Sequence, residues 1–380
     1  MGLHRDGESL GLPPFDTEMR RRLWWQIVIL DCRTAELAGT GVSVMANLWD
    51  TRIPLNINDS DLSPDMQQLP KEHAGPTEMM HCLLRYSIGQ VLRSPGSFNA
   101  FDGAWQRLSS STVPLAEKDG AIDELENLIQ DKFLKYCDPT IPLHLMTSML
   151  GRAAIASMRL VAHHPRQYPD KGAHLSQDEK EKLFAISLKV IEIDNLAHST
   201  KSLHRFLWHG RAYFQWHAFI YLMSELCVRT LGEQVEKAWQ QVNEALGNHF
   251  EHIDASTNAL NVAVQSLVTK AWYLRVADSL HQHQLAPQAP PFVAKLLTGS
   301  NTADAQSSGG SAGGPGEPRT ISSTESNKPY QWTATTYGDF NPPFDADLTP
   351  LDSSQVDWAE WDAMLQDVDL LNFQCNGNPP

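Results

Sequence analysis

Two histidines and a glutamate fall within four residues at His249-Phe250-Glu251-His252, a grouping that invites a metal. A helical zinc-hydrolase site needs histidines at i and i+4 with glutamate beside the first, so that both nitrogens share one face. Here the spacing is i, i+3 and the glutamate sits beside the second histidine, so no metal is expected. His163-His164-Pro165 reads as a helix end whose imidazoles can meet free carbonyls. His204, His209 and His217 lie among aromatics and read as buried or partly buried packing. The sequence has no Gly-x-Ser-x-Gly elbow, no phosphate-cradling glycine loop and no dinucleotide fingerprint. Five cysteines, at 32, 82, 137, 227 and 375, are too widely spaced for a metal pair or a redox dithiol. They fit a reducing compartment as small buried hydrophobes. No catalytic residue, cofactor or metal is therefore expected, and the chain does not read as an enzyme.

The acidic C-terminal tail carries a stronger signal, one of recognition. Ser354-Gln355-Val356-Asp357 offers a capping box. Trp358, Trp361, Met364, Leu365, Val368 and Leu371 follow at three- and four-residue spacing, flanked by Asp362, Asp367 and Asp369. Acids that repel one another keep such a segment soluble while free, and its apolar stripe can fold as a helix into an apolar groove with a basic rim. Alternating acidic and bulky apolar residues are the composition of a transcriptional activation segment. The competing occupant is the chain's own body, and the two can coexist as an autoinhibited switch.

Charge is distributed to match. The net charge is −15, and no basic residue follows Lys328, after which nine acids occur. The remainder holds 36 acids against 30 bases, which argues against nucleic-acid binding through bulk charge. The most apolar stretch, Ala212 to Leu231, is broken by Gln215, His217, Glu225 and Arg229, so no membrane span is expected. Met1 to Gly11 is charged and does not read as a signal peptide.

The elements that would position these residues read as helix after helix, so the expected class is all-α. A helix capped by Asp16 carries Glu18-Met19-Arg20-Arg21-Arg22-Leu23-Trp24-Trp25-Gln26, with Met19, Leu23, Ile27, Leu30 and Leu37 at helical spacing. Trp24 and Trp25 point about 100° apart, so this helix must be covered on more than one side. Both tryptophans are expected in the core. Arg20, Arg21 and Arg22 are expected to be structural, pairing with acids such as those at Asp59–Asp61 or stacking on rings rather than contacting phosphate. An irregular connection over Gly41 to Pro76 follows. Further helices are predicted from Thr77 to Leu92, Ala121 to Tyr136 (with Ile122, Leu125, Ile129 and Phe133 on one face) and Leu143 to His163. Ser176-Gln177-Asp178-Glu179 is a capping box for a helix with Leu183, Ile186, Val190 and Leu196. An aromatic-dense segment spans Ser202 to Thr230, and two helices lie near Glu233 to His249 and Asn258 to His281. Residues 299–329 are a Gly/Ser-rich linker that cannot offset its ordering entropy, and they are expected to be disordered.

With these segments in order, the chain resembles the regulatory middle homology domain of fungal zinc binuclear cluster transcription factors. The matching pieces are Gly2-Leu3-His4-Arg5-Asp6, Pro14-Phe15, the Glu18 to Trp25 tract and Leu30-Asp31-Cys32-Arg33. They continue through Pro54-Leu55-Asn56-Ile57-Asn58-Asp59-Ser60-Asp61-Leu62 and Gly75-Pro76-Thr77-Glu78-Met79. The resemblance is clear over Gly2 to Tyr86 and looser to about Leu297. It implies a nuclear transcription regulator, often of a biosynthetic gene cluster, with residues 1–298 as the regulatory domain, 299–329 as linker and 330–380 as activation segment. Coactivators, or a DNA-binding partner regulator in a homo- or heterodimer, are the partners implied. The family's DNA-reading module holds two zinc ions on six closely spaced cysteines, a spacing needed for shared bridging sulfurs. These residues contain no such cluster, so specific DNA binding by this chain alone is not expected. The expectation is either a truncated chain or a regulator without its DNA-reading half. The alternative function is a small-molecule sensor acting through a partner, with a pocket lined by Phe206 to Tyr221.

Overall fold

The computed structural model describes residues 2–37, 49–91, 108, 110–168, 170, 172–207, 214–250, 259–283 and 285–297. Among them regular structure is helical, with no strand, as the all-α reading expected. The principal helices are α1 (Pro14–Leu37), α2 (Met80–Val91), α3 (Leu115–Lys132), α4 (Pro142–His163), α5 (Gln177–Ser199), α6 (Trp216–Leu226), α7 (Glu233–Phe250) and α8 (Ala259–His281). Among the described residues no helix is long and apolar enough to cross a membrane.

α1 departs from its expected pattern in two ways. It begins at Pro14 rather than after Asp16, since proline's fixed φ suits the first helical position; Thr17 N–H already bonds the Pro13 carbonyl at 2.9 Å. Asp16 thus lies in the first turn, where its charge meets the positive end of the helix dipole. The periodic apolar residues also face outward: Met19, Leu23, Ile27 and Leu30 are 40% to 51% exposed. The buried face is Thr17, Glu18, Arg21, Trp25, Val28 and Ile29. Hydrophobic periodicity loses here because the charged face finds carboxylate and backbone partners, described below, that a stripe of aliphatic side chains could not satisfy.

Two cores form. The first packs α1 to α4 around Trp25, Leu84, Tyr86, Ile122, Ile129 and Met158. The second packs α5 to α8 around Ile191, Phe219, Leu222, Trp239, Val242 and Trp272. α4 serves both, giving Met158 and Val161 to the first and Leu160 to the second. Ile122, Leu125, Ile129 and Phe133 are all buried, although α3 starts at Leu115, earlier than expected. The Ser176 capping box closes as predicted, Ser176 Oγ accepting from Glu179 N–H at 3.3 Å and Glu179 Oε2 accepting from Ser176 N–H at 2.9 Å. Leu196 does not join its helix's inner face, which runs through Leu183, Val190, Ile191 and Asn195. α6 is the most enclosed helix, with Phe219, Ile220, Leu222, Met223 and Leu226 fully buried. A short helix over residues 291–297, not expected from the sequence, inserts Val293 into the second core. Linker 299–329 and tail 330–380 lie outside the described residues.

Candidate functional site

The N-terminal family signature assembles into a clasp around Arg21. Its Nε and Nη2 each donate at 2.8 Å to a different oxygen of Asp6, and both residues are 2% exposed. Such a fork matches carboxylate geometry in a way a point charge cannot. Glu8 adds a second carboxylate at 3.1 Å. Asp6 also accepts from Arg52 N–H at 2.9 Å and Glu8 N–H at 3.1 Å, so one side chain ties the N-terminal turn, α1 and the 49–76 connection together. Burial alone would raise its pKa, but the Arg21 bonds and these backbone donors outweigh it and hold it at about 2.

At the next position, Arg22 pairs with Glu18 at 3.1 Å and with Asp59 at 2.6 Å. Glu18 is fully buried and also accepts from Leu55 N–H at 3.3 Å; burial pushes its carboxyl above the usual range. Arg20 donates to the Gly2 carbonyl at 2.8 Å. The connection is locked by two amides. Asn56 Nδ2 donates to the His73 and Gly75 carbonyls, and its Oδ1 accepts from Thr77 Oγ1 at 2.6 Å. Asn58 Oδ1 accepts from Glu78 N–H at 3.1 Å. Between them Ile57 is fully buried, which accounts for the Asn-Ile-Asn order.

The two tryptophans divide as their angular offset requires. Trp25 is 2% exposed, donates to the Arg52 carbonyl at 3.0 Å and lies edge-on to Trp49, ring centroids 5.2 Å apart. Trp24 is only partly buried and flanks the same Trp49 ring at 5.7 Å, a correction to the expectation that both are core. Nothing in this clasp pairs a nucleophile with a base. Cys82 and Cys137, only partly buried, have thiol pKa values raised by burial, and buried Cys227 is pushed up to about 11.

A second cluster was missed by sequence reasoning. Asp194 and His198, one turn apart on α5, meet His249 from the last turn of α7. His249 Nε2 lies 2.7 Å and His198 Nδ1 3.6 Å from Asp194 Oδ2. The metal-capable atoms of all three lie within 4.8 Å of one another. The available signal is an i, i+4 aspartate–histidine pair on a predicted helix, but its third member lies in a distant histidine tract. Glu251, His252 and His209 lie outside the described residues, as do Trp358, Trp361, Met364, Leu365, Val368 and Leu371.

Of the other histidines, His217 is partly buried and His163 and His164 close α4, both as expected, but the contacts of His163, His164 and His204 differ from expectation. His163 meets the Asp119 carboxylate at 2.8 Å rather than a helix carbonyl, and fully buried His164 packs edge-on to Tyr221. His204 is exposed rather than packed, its Nε2 2.9 Å from the His198 carbonyl. Of the segment expected to line a pocket, residues 208–213 lie outside the described residues, while Phe214, Phe219 and Tyr221 fill the second core. A concavity of about 600 Å³ lies between α7 and α8 and is lined by Trp239, Trp272, Arg275 and Asn243.

Comparison with known proteins agrees with the clasp. Residues 1–85 match the family described as the fungal specific transcription factor domain. The aurofusarin cluster transcription factor aurR2 of Gibberella zeae is 34% identical over 326 residues, 84% of this chain and 48% of the relative. The pyriculol/pyriculariol biosynthesis cluster transcription factor 1 of Pyricularia oryzae is 31% identical over 303 residues, 78% of this chain and 40% of the relative. The C6 finger domain transcription factor hasF of Aspergillus fumigatus is 28% identical over 299 residues, 65% of this chain and 38% of the relative. This chain therefore spans under half the length of these relatives. No solved structure matches it. The family and these relatives are transcription factors rather than enzymes, and residues 1–85 belong to the fungal specific transcription factor domain family.

Proposed function

We propose that this chain is the regulatory part of a nuclear, non-enzymatic transcription regulator that controls a fungal biosynthetic gene cluster. The observation carrying this reading is the similarity of 84% of the chain to a cluster transcription factor. The helical body is the regulatory module, with the Arg21 clasp as its frame. Residues 330–380 recruit coactivators through the stripe of Trp358, Trp361, Met364, Leu365, Val368 and Leu371. These 380 residues contain no six-cysteine cluster, so the purified chain binds no specific DNA site and requires a DNA-binding partner or module outside these residues. Fusing residues 330–380 to a heterologous DNA-binding domain tests the tail. Reporter activation that is lost in Trp361→Ala plus Leu365→Ala is expected; no activation, or activation indifferent to those changes, contradicts it. A gel shift showing tight, sequence-specific binding by the purified chain would overturn the partner requirement.

A small-molecule-sensing role has one supporting observation, the groove between α7 and α8. Trp239 and Trp272 supply apolar walls there, and Arg275, 2% exposed over the Trp272 ring, pairs with Glu236 of the same lining to supply polar groups. Ligand-dependent thermal stabilisation that is lost in Arg275→Gln supports this reading; the absence of any shift across candidate metabolites counts against it.

A further inference from the structure

We infer that Asp194, His198 and His249 form a binding site for a divalent first-row transition ion, with zinc as the fitting occupant. Two imidazoles and one carboxylate are a donor set suited to such ions, and the i, i+4 spacing on α5 puts Asp194 and His198 on one helical face. His249 completes the set from a different helix, so the three donors converge from two directions rather than lying along a single surface.

Three further features favour an ion over a simple hydrogen-bonded cluster. Asp194 is 21% exposed, and among the described residues its ion-pair partners are these two imidazoles, with no lysine or arginine supplying a fixed positive charge. A half-buried carboxylate facing two imidazoles gains most from a cation placed between them. His198 and His249 are 11% and 9% exposed and stack edge-on with centroids 4.9 Å apart, which limits their rotational freedom before binding. Phe214 covers His249 at 4.1 Å, giving the site an apolar wall. Ion binding replaces two hydrogen bonds, His249 Nε2 to the Asp194 carboxylate at 2.7 Å and His198 Nδ1 to the Asp194 carbonyl at 2.9 Å: in each ring the proton moves through solvent to the other nitrogen, and the lone pair it frees goes to the metal. Three protein ligands leave a coordination position for water. The ion would pin the last turn of α5 to the last turn of α7, two elements of the second core.

The test uses the full 380-residue chain, stripped of metal and titrated separately with zinc(II) and cobalt(II) by calorimetry and absorption. One equivalent should bind, with a cobalt spectrum free of thiolate charge-transfer bands, and zinc should raise the melting temperature. His249→Ala and Asp194→Asn should weaken binding by more than the roughly 10–100-fold that loss of an outer-sphere support costs. His198→Cys should retain binding and introduce the thiolate band, which shows that residue at the metal in a folded variant. No stoichiometric uptake, uptake unchanged by these substitutions, or a thiolate band in the unaltered chain would overturn the assignment.

Discussion

Arg21 and Asp6 form a two-pronged ion pair that is 2% exposed at both ends and closes the N-terminal turn onto the second turn of α1. Removing one partner strands a buried charge. Arg21→Ala should cost about 3–5 kcal/mol, and Arg21→Lys should recover only part of that because an ammonium cannot span both oxygens. Urea-unfolding midpoints of the three proteins measure this. Equal midpoints would mean that the clasp is not a frame.

The same pair fixes a pH dependence. The Asp6 carboxyl is lowered from 3.8 to about 2 in the folded chain. A depressed carboxylate stabilises above its unfolded pKa, so the contribution, about 2 kcal/mol, is complete above about pH 4 and lost as pH falls toward 2. Glu18, whose carboxyl burial holds above its usual range, works in the opposite sense. The Asp6 part is therefore read as the difference from Asp6→Asn, which should show a flatter stability profile between pH 4 and 2.

Gly7 passes directly against α1. A Cβ built there would stand 2.8 Å from Thr17 Cα and 2.5 Å from Thr17 Oγ1. The backbone atom cannot move aside as a side-chain tip would. Gly7→Ala should therefore destabilise by about 1–3 kcal/mol, although alanine is no longer than one methyl group. Thermal melting of this variant beside Gly11→Ala separates two causes. Gly11 has open space but φ +68°, so its substitution reports backbone strain alone.

The outward stripe on α1 gives a prediction of no effect. Leu23 and Leu30 are each 51% exposed, so Leu23→Ser plus Leu30→Ser should change unfolding free energy by little more than about 0.5 kcal/mol per site. Val28→Ser, at 3% exposure on the opposite face, should cost several times more. Similar losses for the two faces would mean that the helix is rotated from the orientation described.

How much was legible in the sequence varies with the range of the interaction. Local signals read well: the Ser176 capping box, the α3 face through Ile122 and Ile129, and the ends of α4 and α7 follow from spacing and caps a few residues apart. α1 misled because its apolar period is real but points to solvent, while the burying face is charged. Only the partners at Asp6, Asp59 and Leu55 make that face inward, and periodicity carries no trace of them. The Asp194–His198–His249 cluster was hidden for a related reason. Its third member lies 51 residues from the second, so the chain order shows a local histidine tract and leaves the spatial partner to the packing of α5 on α7.

In the proposed function the helical body and the acidic tail together regulate a clustered set of biosynthetic genes. Transcript profiling of the parent fungus tests it most directly, comparing the intact gene with one encoding Trp358→Ala, Trp361→Ala and Leu365→Ala together, at matched protein abundance. A coordinate fall in transcripts from a contiguous block of biosynthetic genes is expected. Unchanged transcripts across the genome, with the altered protein present at its normal level, would contradict it.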